Sequence, residues 1–521
     1  VDTSHLVRRF AKRFFMGTIL SRVSGCARDI VMAFCFGSAP EVAAFMVAYR
    51  FASLFRRLFG DGNVSAGFIP HFSSLHEANP EKARLFYRDS VCSLSILLIS
   101  LILFIELVLW VLTPFLGDGW MEIARLTMCM VPGLLFVCLY ALNVAFLQFH
   151  KHYFVGGAAP VLFNLLWILF AFFGAYLPIE KAIHTLALGV SFAFALQWSV
   201  TLYQVRGHMS LPWRLWMQPS CFSVEWKKMA RPLTLGVIGV GAVQINSALD
   251  ALFARFSGLS GPAYLWYAIR IEQLPLALFG IALSGALLPP LSRAFAEGAF
   301  SRYKELLRSA VLSSMAIFIP CTVALFVLGS AGVNLLYGHG DFQPNDVKET
   351  TYCLWGYGVG LFPSVMTLLL AAGFYAKKSY GVPTIASLAS VFLHIIGNSI
   401  MVFGLELGAL SVALSTSLAA WLNCAILTFW MAHRFEIKVF DGMFYSVARL
   451  GGASVAGGLF AFGFGLLFEE FSRSFMIQVI RVGGMSTMFV SGFLGFAYLL
   501  GIKEFFEFVG KKSPDLHKTN F

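Results

Sequence analysis

Apolar runs of about 20 residues recur from one end of this chain to the other, each long enough to cross about 30 Å of hydrocarbon. No soluble core could hide so much apolar surface. Of the 521 residues, 58% are hydrophobic and only 12% are charged, against about 25% charged in an ordinary soluble domain. The chain therefore reads as an all-α polytopic membrane protein with about fourteen transmembrane helices. The spans fall near 13–36, 41–60, 87–115, 122–149, 158–178, 183–205, 229–256, 263–289, 304–330, 348–374, 382–404, 408–433, 443–468 and 476–502.

The loops test this count. Those after even-numbered spans are basic: Lys82, Arg84 and Arg88; Lys151; Arg206, Arg214, Lys227 and Lys228; Arg293, Arg302, Lys304 and Arg308; Lys377 and Lys378; Arg434 and Lys438. Those after odd-numbered spans are poor in Lys and Arg, and several carry acids such as Glu41, Asp118, Asp341 and Glu470. The positive-inside rule then places both termini in the cytoplasm, and it accounts for the net charge of +11 without nucleic acid. The nine cysteines, among them Cys26, Cys35, Cys92, Cys129 and Cys138, lie scattered in apolar segments without Cys-x-x-Cys pairs. They read as small packing residues, not as zinc ligands or disulfide partners. The basic N-terminus (Arg8, Arg9, Lys12, Arg13) lacks a small-residue cleavage site and reads as the lead-in to the first span.

The chain also repeats itself. Ala48-Tyr49-Arg50 precedes Phe59-Gly60, Ala66 and Pro70; 220 residues later, Ala268-Ile269-Arg270 precedes Phe279-Gly280, Ala286 and Pro290. Lys151-x-Tyr153 is echoed by Lys378-x-Tyr380, each followed by a proline that opens a span, Pro160 and Pro383. Two six-helix lobes of equal orientation are expected, residues 1–206 and 207–438. Residues 439–521 hold two additional C-terminal helices and a cytoplasmic tail.

Against this apolar background stand arginines inside the spans: Arg22 and Arg28 in the first, Arg50, Arg56 and Arg57 in the second, Arg270 in the eighth. An arginine at the bilayer centre costs about 2.5–3.5 kcal/mol on insertion scales. Several together require a wet cavity or an anion. Ser21, Gly25 and Arg28 share one helical face, while Arg22 and Asp29 share another. That helix either packs on protein with Arg28 neutralised by Asp29, or turns a polar face to a chamber. The excess of positive charge favours the chamber. Arg50, Ser53 and Arg57 are spaced three and four, with Arg56 beside them; Arg56 and Arg57 also suit an interfacial pair that snorkels. Guanidinium forks bind phosphate oxygens bidentately, so a pyrophosphate head group suits the cluster. Gly60 and Gly62 in the following Gly60-Asp61-Gly62-Asn63 stretch are candidate hinge positions. Asp250 with His394, Asn398 and Thr416 is a candidate small-cation site, or else a buried polar network. No HExxH, GxSxG, P-loop or dinucleotide motif is present. The chain reads as a transporter of something anionic, not an enzyme, and no catalytic cofactor is expected.

Ser21-Arg22-Val23-Ser24-Gly25-Cys26-Ala27-Arg28-Asp29 and Phe55-Arg56-Arg57-Leu58-Phe59-Gly60-Asp61-Gly62 resemble the first- and second-helix signatures of the MurJ (MviN) family of lipid II flippases. Tyr267-Ala268-Ile269-Arg270, Leu274-Pro275-Leu276 and Phe279-Gly280-Ile281-Ala282-Leu283 look like its eighth helix. Gly373-Phe374-Tyr375-Ala376 with Pro383-Thr384 looks like its tenth-to-eleventh connection. The likeness covers nearly the whole chain. It implies a transporter of the multidrug/oligosaccharidyl-lipid/polysaccharide (MOP) superfamily with two lobes around a cationic cavity and a groove for the lipid tail. The implied substrate is lipid II, the undecaprenyl-pyrophosphate-linked precursor of peptidoglycan. It would pass from the inner to the outer leaflet of a bacterial cytoplasmic membrane by alternating access. The family's essential arginines carry over to Arg22, Arg28, Arg56 and Arg270, and coupling to Na+ or a proton is implied, as are membrane lipids and other cell-wall synthesis proteins as partners. Where the family has Asp before Ala-Phe in its second helix, this chain reads Ala43-Ala44-Phe45. The alternatives are a flippase for another polyprenyl-pyrophosphate-linked oligosaccharide, which shares the diphosphate, and a MATE-like antiporter, which would favour carboxylates over arginines.

Overall fold

The computed structural model of the protein describes residues 3–59, 63–209 and 212–502. In lipid every backbone polar group needs a partner within the chain, and helices supply one locally. The first half contains α1 (Thr3–Phe36), α2 (Pro40–Phe59), α3 (Asn63–Ala78), α4 (Pro80–Leu112), α5 (Asp118–Met130), α6 (Gly133–Phe149), α7 (Tyr153–Gly174), α8 (Ile179–Arg206), the single turn α9 (Trp213–Trp216) and α10 (Val224–Ser257). The second contains α11 (Gly261–Pro275), α12 (Ile281–Ala296), α13 (Phe300–Tyr337), α14 (Pro344–Ala376), α15 (Gly381–Phe403), α16 (Leu410–Phe435), α17 (Phe444–Gly465) and α18 (Phe475–Leu499). A π-helical turn, Leu276–Gly280, joins α11 to α12.

Among the described residues, ten helices are long and apolar enough to cross a membrane, or eleven with the α5–α6 pair, bent by 42°, taken as one span. Neither α1 nor α2 is among them; Arg22, Arg28 and Asp29 crowd the one and Arg50, Arg56 and Arg57 the other. Among the described residues α10 also falls short, whereas the α11–α12 run that carries Arg270 passes. With α5–α6 and α11–α12 each taken as one run and α3 and α9 set aside, the helices follow the spans read from the sequence. The most apolar 18-residue stretch of the α4 span is only 11% buried, and α4 turns Leu103, Phe104 and Trp110 outward, as a lipid-facing helix must.

Local chemistry sets the helix ends. Asn79 caps α4, its side-chain oxygen accepting from the Glu81 and Lys82 amides, with Pro80 at the first helical position. Gln343 and Asp346 form a reciprocal capping box on α14. Lys151, after α6, and Lys378, after α14, both take left-handed backbone (φ 65° and 56°). The sequence echo around these two lysines is therefore also an echo of backbone geometry.

Two compact units divide the chain, Val1–Arg255 and Phe256–Phe521. In the first, α1 lies against α7 and α7 against α8. The approach is close at Gly17, where a methyl would come within 3.0 Å of the Ala158 nitrogen. In the second, α14 is the central post, contacting α11, α12, α13 and α16. Tyr303, Phe318, Leu369 and Phe374 fill its core. The C-terminal pair α17 and α18 packs on itself and on α13, with Ala331, Ala461, Met485 and Phe489 between them.

Two sequence expectations are overturned here. Cys92 and Cys221 are joined in a disulfide, with Cα atoms 5.8 Å apart. They stand 129 residues apart in the chain, so spacing alone gave no hint of the pair. Arg88, expected in a solvated basic loop, lies inside α4 and is buried against Asp89.

Candidate functional site

A buried polar network in the first unit is built on Arg28. Its Nε and Nη2 donate to Asp29 Oδ1 at 3.0 and 2.7 Å, and Nη1 donates to Asn164 Oδ1 on α7 at 3.2 Å. Asn164 is itself oriented, donating to Ser24 Oγ at 2.9 Å and the Ser21 carbonyl at 3.2 Å. The guanidinium plane lies over Trp167, 4.6 Å from the ring centroid. That ring meets Phe45 and Tyr49 of α2 edge-on, at 5.2 and 5.0 Å. Arg28 is 6% and Asp29 2% exposed. Of the two readings of this helix, packing on protein with Arg28 neutralised by Asp29 is the geometry found. The Ser21–Gly25–Arg28 face meets α7, where a methyl on Gly25 would touch Asn164 Nδ2 at 3.6 Å. Arg22, on the other face, is exposed.

On α2, Arg50 and Arg56 are half-buried and Arg57 is exposed. Ser53 is buried and spends its hydroxyl locally, donating to the Arg50 carbonyl at 3.1 Å. Arg57 Nη1 reaches α10, donating to Gln244 Oε1 at 3.3 Å. Gly60 and Gly62, the expected hinge, lie outside the described residues. Ala43, at the position of the family's acid, is fully buried.

The second unit carries Arg270 on α11. It is half-buried, with its guanidinium 4.3 Å from the centroid of Trp266, one turn back on the same helix. Tyr267 next to it is locked by Tyr337 at 4.8 Å and Phe342 at 5.4 Å. Glu272 is buried two residues on, and the π-helical turn begins after Pro275. Such turns gather at functional sites in helices.

A profile of the family described as "Lipid II flippase MurJ" matches residues 32–481. The chain belongs to the MurJ family of lipid II flippases. It is a multi-pass membrane transporter, not an enzyme. A relative named "Probable lipid II flippase MurJ" from Chlamydia muridarum (strain MoPn / Nigg) is 31% identical over 456 residues, covering 87% of this chain and 83% of its own length. One of the same name from Vibrio cholerae is 27% identical over 506 residues, covering 93% and 94%. A solved structure titled "Lipid II flippase MurJ, inward closed conformation" superposes with a TM-score of 0.76 at 22% identity, over 96% of this chain and 99% of that one. An inward-facing MATE transporter of the MOP superfamily gives 0.65 at 14% identity, over 81% and 96%. The last two likenesses bear on the MurJ fold alone.

The expected cation group divides between the units. His394, Asn398 and Thr416 form one hydrogen-bonded cluster in the second unit: His394 Nε2 lies 3.2 Å from Asn398 Nδ2 and 3.3 Å from Thr416 Oγ1. Asp250 belongs to the first unit and is half-buried. Among the described residues, no group of three or more His, Cys, Asp or Glu converges as metal ligands do. A hard cation asks for six or more oxygens; this cluster offers two neutral side chains and an imidazole already engaged with both. Sequence reasoning missed Asn164, Trp167 and Gln244, the neutral groups that hold Arg28 and Arg57. They are ordinary residues of apolar spans, and only tertiary contact marks them.

Proposed function

We propose that this MurJ-family chain carries lipid II from the inner to the outer leaflet of the bacterial cytoplasmic membrane by alternating access, with both termini in the cytoplasm. The observation that carries the reading is the family match from residue 32 to residue 481. The arginines are the residues suited to the pyrophosphate: in the first unit Arg22 and Arg57 are exposed and Arg50 and Arg56 half-buried, and in the second Arg270 is half-buried. Arg28 enters differently. Its fork is committed to Asp29 and Asn164, so a phosphate reaches it only by displacing one of them. Anion arrival and repacking of α1 on α7 are then one event. An inside-negative potential favours outward movement of the diphosphate by about 2.3 kcal/mol per charge per 100 mV. No ion-binding step is assigned to His394, Asn398 and Thr416.

The test is head-group accessibility of lipid II in proteoliposomes, run beside rescue of flippase-depleted cells. Wild-type protein should move lipid II, and variants lacking Arg270 should insert normally yet fail. Full rescue by Arg270→Ala would remove the diphosphate role. Equal movement of other polyprenyl-diphosphate sugars would widen the substrate class without changing the chemistry.

A further inference from the structure

The connector between α8 and α10 is bound along one face of α4. Three consecutive connector residues meet Asp89 and the two residues three and four positions after it, which share its side of the helix. The Ser220 amide donates to Asp89 Oδ1 at 3.0 Å, Cys221 is bonded to Cys92, and the Phe222 amide donates to Ser93 Oγ at 2.8 Å. Phe222 holds a left-handed backbone (φ 55°), unfavourable for a bulky residue unless its surroundings impose it. On either side, Arg88 Nη1 donates to the Leu215 carbonyl at 2.7 Å, and Glu225 meets His71 at 2.9 Å, Lys228 at 3.2 Å and Lys82 at 3.7 Å. Burial pushes the Glu225 carboxyl up, but Lys228 and His71 outweigh it and hold it below the usual carboxylate range. The start of α10 is thus fixed to α3 and α4 through the connector.

The topology proposed above puts this basic end in the cytoplasm. Disulfides are scarce there, and those that form are mostly transient or redox-sensing. Both cysteines are half-buried, within reach of a small thiol or disulfide. We propose that Cys92 and Cys221 form a redox-responsive latch that fastens the α8–α10 connector to α4 when oxidised and slows the transport cycle. A low-molecular-weight disulfide RSSR is the oxidant. One cysteine thiolate attacks it and releases RS⁻, which takes up a proton; the second thiolate attacks the mixed disulfide and releases the other RS⁻. Two protein thiols and RSSR become one protein disulfide and two RSH. Reduction by a dithiol reverses this and leaves the connector held only by its hydrogen bonds and the Glu225 pairs. The effect on transport rests on the lipid II reading; the effect on the connector does not.

The test uses the full-length protein in proteoliposomes, equilibrated with oxidised glutathione or dithiothreitol, with thiol alkylation and mass spectrometry reporting the bond. Wild type should flip lipid II roughly fivefold faster when reduced. Cys92→Ser/Cys221→Ser should match the reduced wild type in both buffers, with Cys92→Ala/Cys221→Ala as a second variant. Amide exchange over residues 215–225 should slow on oxidation of the wild type alone. The latch is overturned if the cysteines stay alkylatable in oxidant, if exchange is the same in both states, or if transport proceeds equally with the bond closed and open. Should the protein move no lipid II at all, the transport reading fails and the exchange comparison still decides the connector.

Discussion

Arg28 and Arg270 both lie over a tryptophan, at 4.6 and 4.3 Å from the ring centroid, and the likeness ends there. Arg28 is sealed, with an acid as its chain neighbour and an amide from another helix completing its fork. Arg270 is half-open and stacks on its own helix. A sealed arginine is part of the fold as well as of any site. On the function proposed above, Arg270 is the arginine expected to meet the anion, while Arg28 is part of the fold as well.

The comparison predicts different failures. Arg28→Ala removes one partner of a buried pair, a loss of about 3–5 kcal/mol, and detergent melting should fall sharply. Arg28→Ala/Asp29→Ala should recover much of that stability without recovering transport. Unchanged melting in the single variant would erase the distinction. Arg270→Ala should lower the melting temperature less than Arg28→Ala does while lipid II movement falls about 10- to 100-fold, the worth of about one hydrogen bond to a charged group. Arg270→Lys should fall between, because an ammonium lacks the fork. A collapse of the fold in Arg270→Ala would place Arg270 with Arg28. Gln244→Ala, which takes a neutral partner from exposed Arg57, should cost less than about 1 kcal/mol and leave transport near wild type.

A smaller contrast lies at the two helix breaks that carry the left-handed lysines. His150 precedes Lys151, and Lys377 precedes Lys378. Lys377 lies over the rings of Phe435 at 3.8 Å and Tyr303 at 4.7 Å, where burial lowers its pKa. His150 stacks on Phe146 at 4.4 Å and lies 5.2 Å from the His208 ring. Burial lowers its pKa below 6.5; the Phe146 carbonyl opposes this, and His208, His76 and His152 add to it. A folded pKa below the unfolded one gives stability that is present above the unfolded pKa and lost as pH falls. The melting temperature should therefore drop as pH falls below about 6.5. His150→Phe should flatten that slope, and an unchanged slope would exclude His150 as its source.

Hydropathy and loop charge were enough to read the helical membrane fold, because span length and the positive-inside bias are properties of single segments. The arginines stood out for the same reason, each being costly wherever its helix goes. Their partners did not. Asn164 and Gln244 are unremarkable amides until α7 and α10 bring them to Arg28 and Arg57. Asp29 was visible only because it adjoins Arg28. Cys92 and Cys221 came together through the fold of the first unit, a relation that local pattern does not encode. Asp250 looked like a fit companion for His394 by chemistry, and the two belong to different units of the chain.

The π-helical turn Leu276–Gly280 carries one residue more than α-helical winding accommodates. The wider turn absorbs that residue, so deleting Ala277 would let the run wind as ordinary α-helix with Arg270 and the Pro289-Pro290 end near their present phase. Gly280 passes within reach of Val365 on α14, so the widened turn is also where the rod is pinned to its neighbour. Slack and anchor thus coincide at one place in the rod.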